Sequence, residues 1–163
     1  MGLGRTGSNA ALLTSSRSIN GFPTTEPDLN ALHDSQVDQL SDRCVIVDEN
    51  DKMLGTASKK EVHLSSNGTP ESPGGILHRA FSVLLFNSQN ELLLQQRSSL
   101  KITYPGHYTN TCCSHPRANE AEMNEVDNIG IRVAAQRRMH FELGIPEHQV
   151  KSFLSGCKTY LIV

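Results

Sequence analysis

The segment Ile129–Leu143 (IGIRVAAQRRMHFEL) most constrains the folds open to this chain. Ile131, Ala135, Met139 and Leu143 recur at every fourth residue, so they line one face of an α-helix. Gly144 can adopt the left-handed conformation that ends a helix, and Pro146 cannot continue one. Such a helix must bury its apolar face, and the sequence upstream offers strands to receive it. Cys44–Glu49 and Met53–Ala57 flank the polar pair Asn50-Asp51 and read as a hairpin. Ala80–Phe86 and Glu91–Arg97 are apolar runs on either side of the polar turn Asn87–Asn90, and predict two more strands. Residues 64–75 and 98–118 carry Gly, Pro and small polar residues and read mostly as loop. Strands around one strong helix predict a mixed α/β domain.

Residues 1–35 are rich in Gly, Ser, Thr and Asn without an apolar period, which predicts a disordered tail, with order beginning near Val37. The first acid comes after residue 25, while Arg5 and Arg17 lie within that stretch, a composition shared with organelle transit peptides. No basic amphipathic face is evident, so the plain extension is the preferred reading. The domain is expected over 36–150. With 15 basic and 17 acidic residues, no global field selects nucleic acid or an anionic membrane. No apolar run is long enough to span a bilayer. Four cysteines, two of them adjacent at Cys112 and Cys113, do not form a disulfide framework; reduced thiols in a cytoplasmic setting fit better.

Three histidines, His63, His78 and His115, can together offer imidazoles to one divalent metal. Their separations of fifteen and thirty-seven residues match no compact metal motif, and a lone histidine is more often an ordinary surface or hydrogen-bonded residue. Cys113, beside Ser114 and His115 in a polar segment, is the candidate reactive thiol; most free cysteines are instead small buried hydrophobes. Lys59-Lys60, Arg97 and Lys101 are solvated charges by default and a diphosphate clamp by function, since Arg and Lys bind phosphate oxygens as fork and point charge.

The helix end Arg137-Arg138-Met139-His140-Phe141-Glu142-Leu143-Gly144 resembles the last part of a Nudix box, in which three glutamates collect metal ions for diphosphate hydrolysis. Arg138 and Phe141 occupy two of those positions here and only Glu142 remains. One carboxylate can share one Mg²⁺ with a diphosphate but does not assemble a multi-metal centre. The segments Leu77–Ser82 (LHRAFS), Leu93–Ser98 (LLQQRS), Thr109–Pro116 (TNTCCSHP) and Arg132–Arg138 then make the resemblance specific. Over about residues 36–148 the chain resembles the type I isopentenyl-diphosphate isomerases of animals. That resemblance implies a Nudix-type mixed β-sheet packed by helices. It also implies a 1,3-allylic proton shift interconverting isopentenyl and dimethylallyl diphosphate in isoprenoid and sterol biosynthesis. By the same resemblance Cys113 is one acid–base group. Lys59, Arg97, Lys101 and Ser114 match substrate-binding positions. His63, His78 and His115 match metal ligands, and Glu142 matches the residue that shares Mg²⁺ with the diphosphate. Zn²⁺ or Mn²⁺ are alternatives at the histidines. A monomer in the cytoplasm is implied, with a peroxisomal setting also known in the family.

Where the family has a Glu-x-Glu pair, a nearby tyrosine and a tryptophan further on, residues 151–163 diverge and the chain has no Trp. The expectation is an isomerase by family whose sheet and metal site are incomplete at the C-terminus, a loss that weighs against turnover by this form. A non-catalytic isoform that binds metal or diphosphate is the alternative; a Nudix hydrolase is disfavoured by Arg138 and Phe141.

Overall fold

A computed structural model describes residues 34–64, 67, 75–101 and 103–150. The expectations for residues 1–33 and 151–163, and for most of 64–75, lie outside these. The first described element, α1 (Asp34–Leu40), begins one residue before the expected end of the tail at residue 35. It is followed by the hairpin that the two runs around Asn50-Asp51 predict, β1 (Arg43–Val47) and β2 (Met53–Ser58). These strands pair antiparallel from Arg43 opposite Ser58, with a bulge between Ile46 and Val47. Asp48 organises the turn: its Oδ1 accepts from the N–H groups of Asn50 and Lys52, both at 2.9 Å.

The hairpin runs directly into the short helix α2 (Lys59–Val62). Ser58 is its N-cap, its Oγ accepting from the Glu61 N–H, and the Glu61 carboxylate accepts from the Ser58 N–H at 2.8 Å, closing a capping box. This local device fixes Lys59 at the first helical position and His63 at the C-cap.

Chain 76–79 then pairs along β1: Val47 N–H donates to Leu77 O and Arg79 N–H to Val45 O at 2.8 Å. β3 (Phe81–Val83) pairs antiparallel with β6 (Cys112–Ser114), and β4 (Gln95–Gln96) with β5 (Tyr108–Thr109). Segment 98–118 is mostly loop, as expected, but holds the short strands β5 and β6, and Cys113 sits on the second. One expectation is corrected here. The apolar run Glu91–Arg97 is strand only at Gln95–Gln96, and Leu93 and Leu94 remain 46% and 50% exposed. Outside Gln95–Gln96 the run meets 85–87 through an isolated bridge from Leu92 to Phe86 and through Leu93 N–H donating to Leu85 O at 2.9 Å, too little to make a continuous ladder.

The helix α3 spans Ile129–Leu143, as its spacing predicts, and a final turn α4 covers Glu147–Val150. Gly144, at φ 68°, ends α3 in the left-handed region and donates to His140 O. Ile131, Ala135 and Met139 are buried with Ala134 against Phe81, Val83, Cys112 and Val150, forming the core between α3 and the β3–β6 pair. Each large apolar side chain buried there contributes about 1.5–3 kcal/mol. At Gly130 the helix passes so close to the preceding segment that a Cβ would lie 2.3 Å from Glu122 O. The buried Glu122 carboxylate clamps the other side, accepting from Arg137 Nε at 2.7 Å and Nη2 at 2.8 Å. Among the described residues no helix is long and apolar enough to cross a membrane. The result is a mixed α/β architecture.

Candidate functional site

The side chains of β6 alternate across the sheet, and this separates two neighbouring thiols. Cys112 points into the core, where burial, with the nearby Glu142 charge adding to it, pushes its thiol up to about 12. Cys113 emerges on the opposite face, half-buried, on the wall of a cavity of about 500 Å³. Its Sγ lies 3.1 Å from Ser82 Oγ, its partner across the ladder, and 3.6 Å from Asn110 Nδ2.

Beyond Ser114, the same strand delivers His115 to a cluster that sequence spacing alone leaves open. The rings of His63, His78 and His115 have centroids 4.7, 4.8 and 4.7 Å apart, and their candidate ligand atoms all lie within 4.8 Å of one another. Three separate local structures meet here: the capped end of α2, the segment paired to β1, and the end of β6. Two rings are oriented by backbone. His63 Nδ1 donates to Lys59 O at 2.8 Å and His78 Nδ1 to Ile76 O at 2.6 Å, which leaves the lone pair of each on Nε2. His115 Nδ1 is buried without a hydrogen-bond partner among the described residues. Burial, then the neighbouring His78, holds the His63 imidazolium down to about 4; burial also lowers His78, and takes His115 well below its ordinary value. Three neutral, convergent imidazoles, one with an unsatisfied buried nitrogen, fit a divalent metal ion. They suit Zn²⁺ or Mn²⁺ better than Mg²⁺, which prefers oxygen ligands.

The rest of the cavity lining is strongly cationic, and Lys59 within it adjoins the imidazoles. Lys59, Lys60, Arg97, Lys101 and Arg138 stand in it against one carboxylate, Glu142. Arg97 is held by Thr103, donating from Nε to its carbonyl at 2.9 Å and from Nη2 to its Oγ1 at 3.0 Å. Lys59 and Lys101 both have their ammonium pKa lowered, first by burial; Arg138 repels both, Lys101 also acts on Lys59, and Arg97 on Lys101. Glu142 accepts from Gln95 Nε2 at 3.1 Å and pairs with Arg138, whose guanidinium also lies 4.9 Å over the Phe141 ring. The two residues standing at acidic box positions are thus packed against each other, and Arg138 sets a positive charge beside the only glutamate left.

All nine residues singled out from the sequence therefore belong to one region. Eight line the cavity, including Ser114; His78 does not, and lies against the other two imidazoles. Sequence reasoning missed Arg138 as a member of the cationic wall, because it was read only as a lost acid. It also missed Tyr104, His107 and Tyr108 on the cavity rim, for which the succession Lys101 to Tyr108 around Pro105-Gly106 was the available signal.

A mixed α/β fold with a helix ending in this box defines the class of the domain. Residues 76–161, more than half of the chain, match the NUDIX domain, and the chain belongs to the Nudix family. It is 55% identical over 119 residues to isopentenyl-diphosphate Delta-isomerase 1 of Bos taurus, covering 73% of this chain and 51% of that protein. Similarity to isopentenyl-diphosphate delta-isomerase 2 of Homo sapiens is 50% over 115 residues, 71% of this chain and 49% of the relative. A plant relative, isopentenyl-diphosphate Delta-isomerase I of Clarkia breweri, is 54% identical over 107 residues, 66% of this chain and 36% of its own length. The chain spans about half the length of the animal relatives it matches.

Proposed function

We propose that this chain is an isomerase acting on isopentenyl diphosphate, moving its double bond by a 1,3-allylic proton shift to give dimethylallyl diphosphate. The observation that carries the reading is the placement of one thiol, Cys113, on the wall of a cavity that has a cationic face and an adjoining imidazole cluster. The relatives, isopentenyl-diphosphate isomerases, supply the substrate class. An isolated alkene is a very weak base, so a proton donor must be held against it while a second group removes a proton elsewhere. Cys113 is one of these two groups. Lys59, Arg97 and Lys101, with Ser114, hold the diphosphate and so fix the short apolar tail against the thiol. Glu142 would hold a Mg²⁺ ion, which would neutralise charge on the diphosphate, and His63, His78 and His115 would hold a second cation, Zn²⁺ or Mn²⁺ by donor chemistry. Arg138 and Phe141 stand where a hydrolase would need carboxylates, which speaks against diphosphate hydrolysis.

The test is proton and phosphorus NMR of the purified chain with isopentenyl diphosphate, Mg²⁺ and Zn²⁺ in D₂O. Deuterium-bearing dimethylallyl diphosphate is the expected product. Bound but unchanged substrate would reduce the function to diphosphate binding, and released phosphate or pyrophosphate would make the chain a hydrolase.

A further inference from the structure

Behind the wall that carries Ser114 and His115 lies a second, much smaller cavity of about 10 Å³. It sits where the end of α1, the start of β1, the segment after β6 and the middle of α3 meet. Its charged lining is lopsided: Arg43, Lys59, Arg117, Arg137 and Arg138 against Asp42. Most of the guanidinium groups are anchored at their ends. Arg43 donates to Thr56, Arg117 Nη2 to Asp42 Oδ2 at 3.0 Å, and Arg137 to Glu122. Arg138 donates from Nη1 to Gln39 Oε1 at 3.3 Å and from Nη2 to Glu142. Two donors are left over. Arg117 Nε and Arg138 Nε are buried and have no partner among the described residues, and Arg138 as a whole is only 7% exposed. The other buried, unpartnered nitrogen on this wall is His115 Nδ1.

A buried N–H without an acceptor costs about 1–3 kcal/mol. Arg117 and Arg138 both line this cavity, so one acceptor placed in it would relieve both; the Arg117 side chain is 42% exposed elsewhere along its length. Guanidinium nitrogens only donate, which excludes a metal cation as the occupant. The volume is about that needed by one water-sized sphere, which excludes a polyatomic anion such as phosphate.

We propose that this cavity is a built site for one hydrogen-bond acceptor of single-atom size, a water molecule or a halide ion, held by the Nε–H groups of Arg117 and Arg138. The occupant ties the segment after β6 to α3 and fixes the stem of Arg138, whose far end reaches Glu142 in the large cavity. It is a positioning element for the cationic wall, and it stands on geometry that does not depend on the isomerase reading.

Crystals of the whole chain, grown once without halide and once in bromide with data collected at the bromine absorption edge, test it. The expected result is a density peak within hydrogen-bond distance of both Nε atoms. An anomalous signal at that peak in bromide identifies a halide, and an identical peak without anomalous signal identifies water. No peak in either crystal, with both arginine side chains ordered, overturns the proposal. In solution, the two Nε–H protons should exchange slowly and show either magnetisation transfer from a bound water or a bromide-dependent shift. Two Nε–H signals that exchange as fast as those of free arginine would overturn it as well.

Discussion

The two walls of the large cavity solve opposite electrostatic problems. The imidazole side, His63, His78 and His115, is neutral and self-consistent: burial keeps the rings uncharged, and backbone carbonyls orient two of them. The cationic side is frustrated, with Lys59 and Lys101 both destabilised by burial and by neighbouring positive charge, and a single carboxylate to offset five cations. One side has its donors placed before any ligand arrives, and the other carries more positive charge than the one carboxylate lining it offsets. A surplus of buried positive charge is what the proposed diphosphate-binding role requires of this face.

Acid should break the comparison most strongly, because it charges only one side. The unfolded chain protonates His63 near its ordinary 6.5, whereas the folded chain does so only near about 4. The contribution of this histidine is therefore fully present above pH 6.5 and is lost as the pH falls towards 4, by about 3 kcal/mol. Urea unfolding of the metal-free protein at pH 7 and pH 4 measures this; equal midpoints would show that the imidazoles are not buried together. The next effect is His115→Ala. Loss of a ligand should weaken Zn²⁺ or Mn²⁺ binding by more than the roughly 100-fold upper range seen for the outer partners of ligands. Pyrophosphate binding without metal should stay nearly as it was. Calorimetry reads both, and a parallel loss would mean the walls are one structural unit.

The difference between the walls also governs what could be read beforehand. Helix α3 was legible because its period of four and its glycine stop are local, and the β1–β2 hairpin because its strands are adjacent in sequence. The histidine cluster was not, since it needs α2 capped by Ser58, the pairing of 76–79 with β1, and the end of β6 to coincide. Only the family-like segments brought those three residues together in advance. Arg117, Glu122 and Arg79 escaped notice altogether. Arg79 is buried between Asp51 and Glu125, at 2.7 and 3.0 Å, and nothing local distinguishes it from a surface arginine. The strand carrying Cys113 was read as loop because Gly106, Pro105 and Pro116 surround it, although its partner Phe81–Val83 lies thirty residues upstream.

On the cationic side, Lys59→Met should have two effects of opposite sign. Affinity for inorganic pyrophosphate should fall roughly 10-fold, the size of one charge-assisted hydrogen bond. The ligand-free protein should become more stable, because a buried ammonium repelled by Arg138 and Lys101 is gone. Thermal unfolding with and without pyrophosphate separates the two effects. If stability falls in both conditions, Lys59 is compensated within the fold and the frustration described above is not real.

The smallest expected effect concerns the thiol between the walls. Asn110 Nδ2 donates to Ser82 Oγ at 3.2 Å and approaches Cys113 Sγ at 3.6 Å, so it limits where the sulfur can point. Asn110→Ala leaves both walls intact but releases that restraint. One neutral hydrogen bond is worth about 1 kcal/mol, or roughly 5-fold in rate if it acts only on the reacting geometry. Turnover of isopentenyl diphosphate should then fall by that factor with KM unchanged, because the diphosphate is held elsewhere. A rise in KM with kcat preserved would assign Asn110 to substrate binding and move the boundary of the cationic wall across β6. Unchanged kinetics would leave the sulfur positioned by the strand and Ser82 alone.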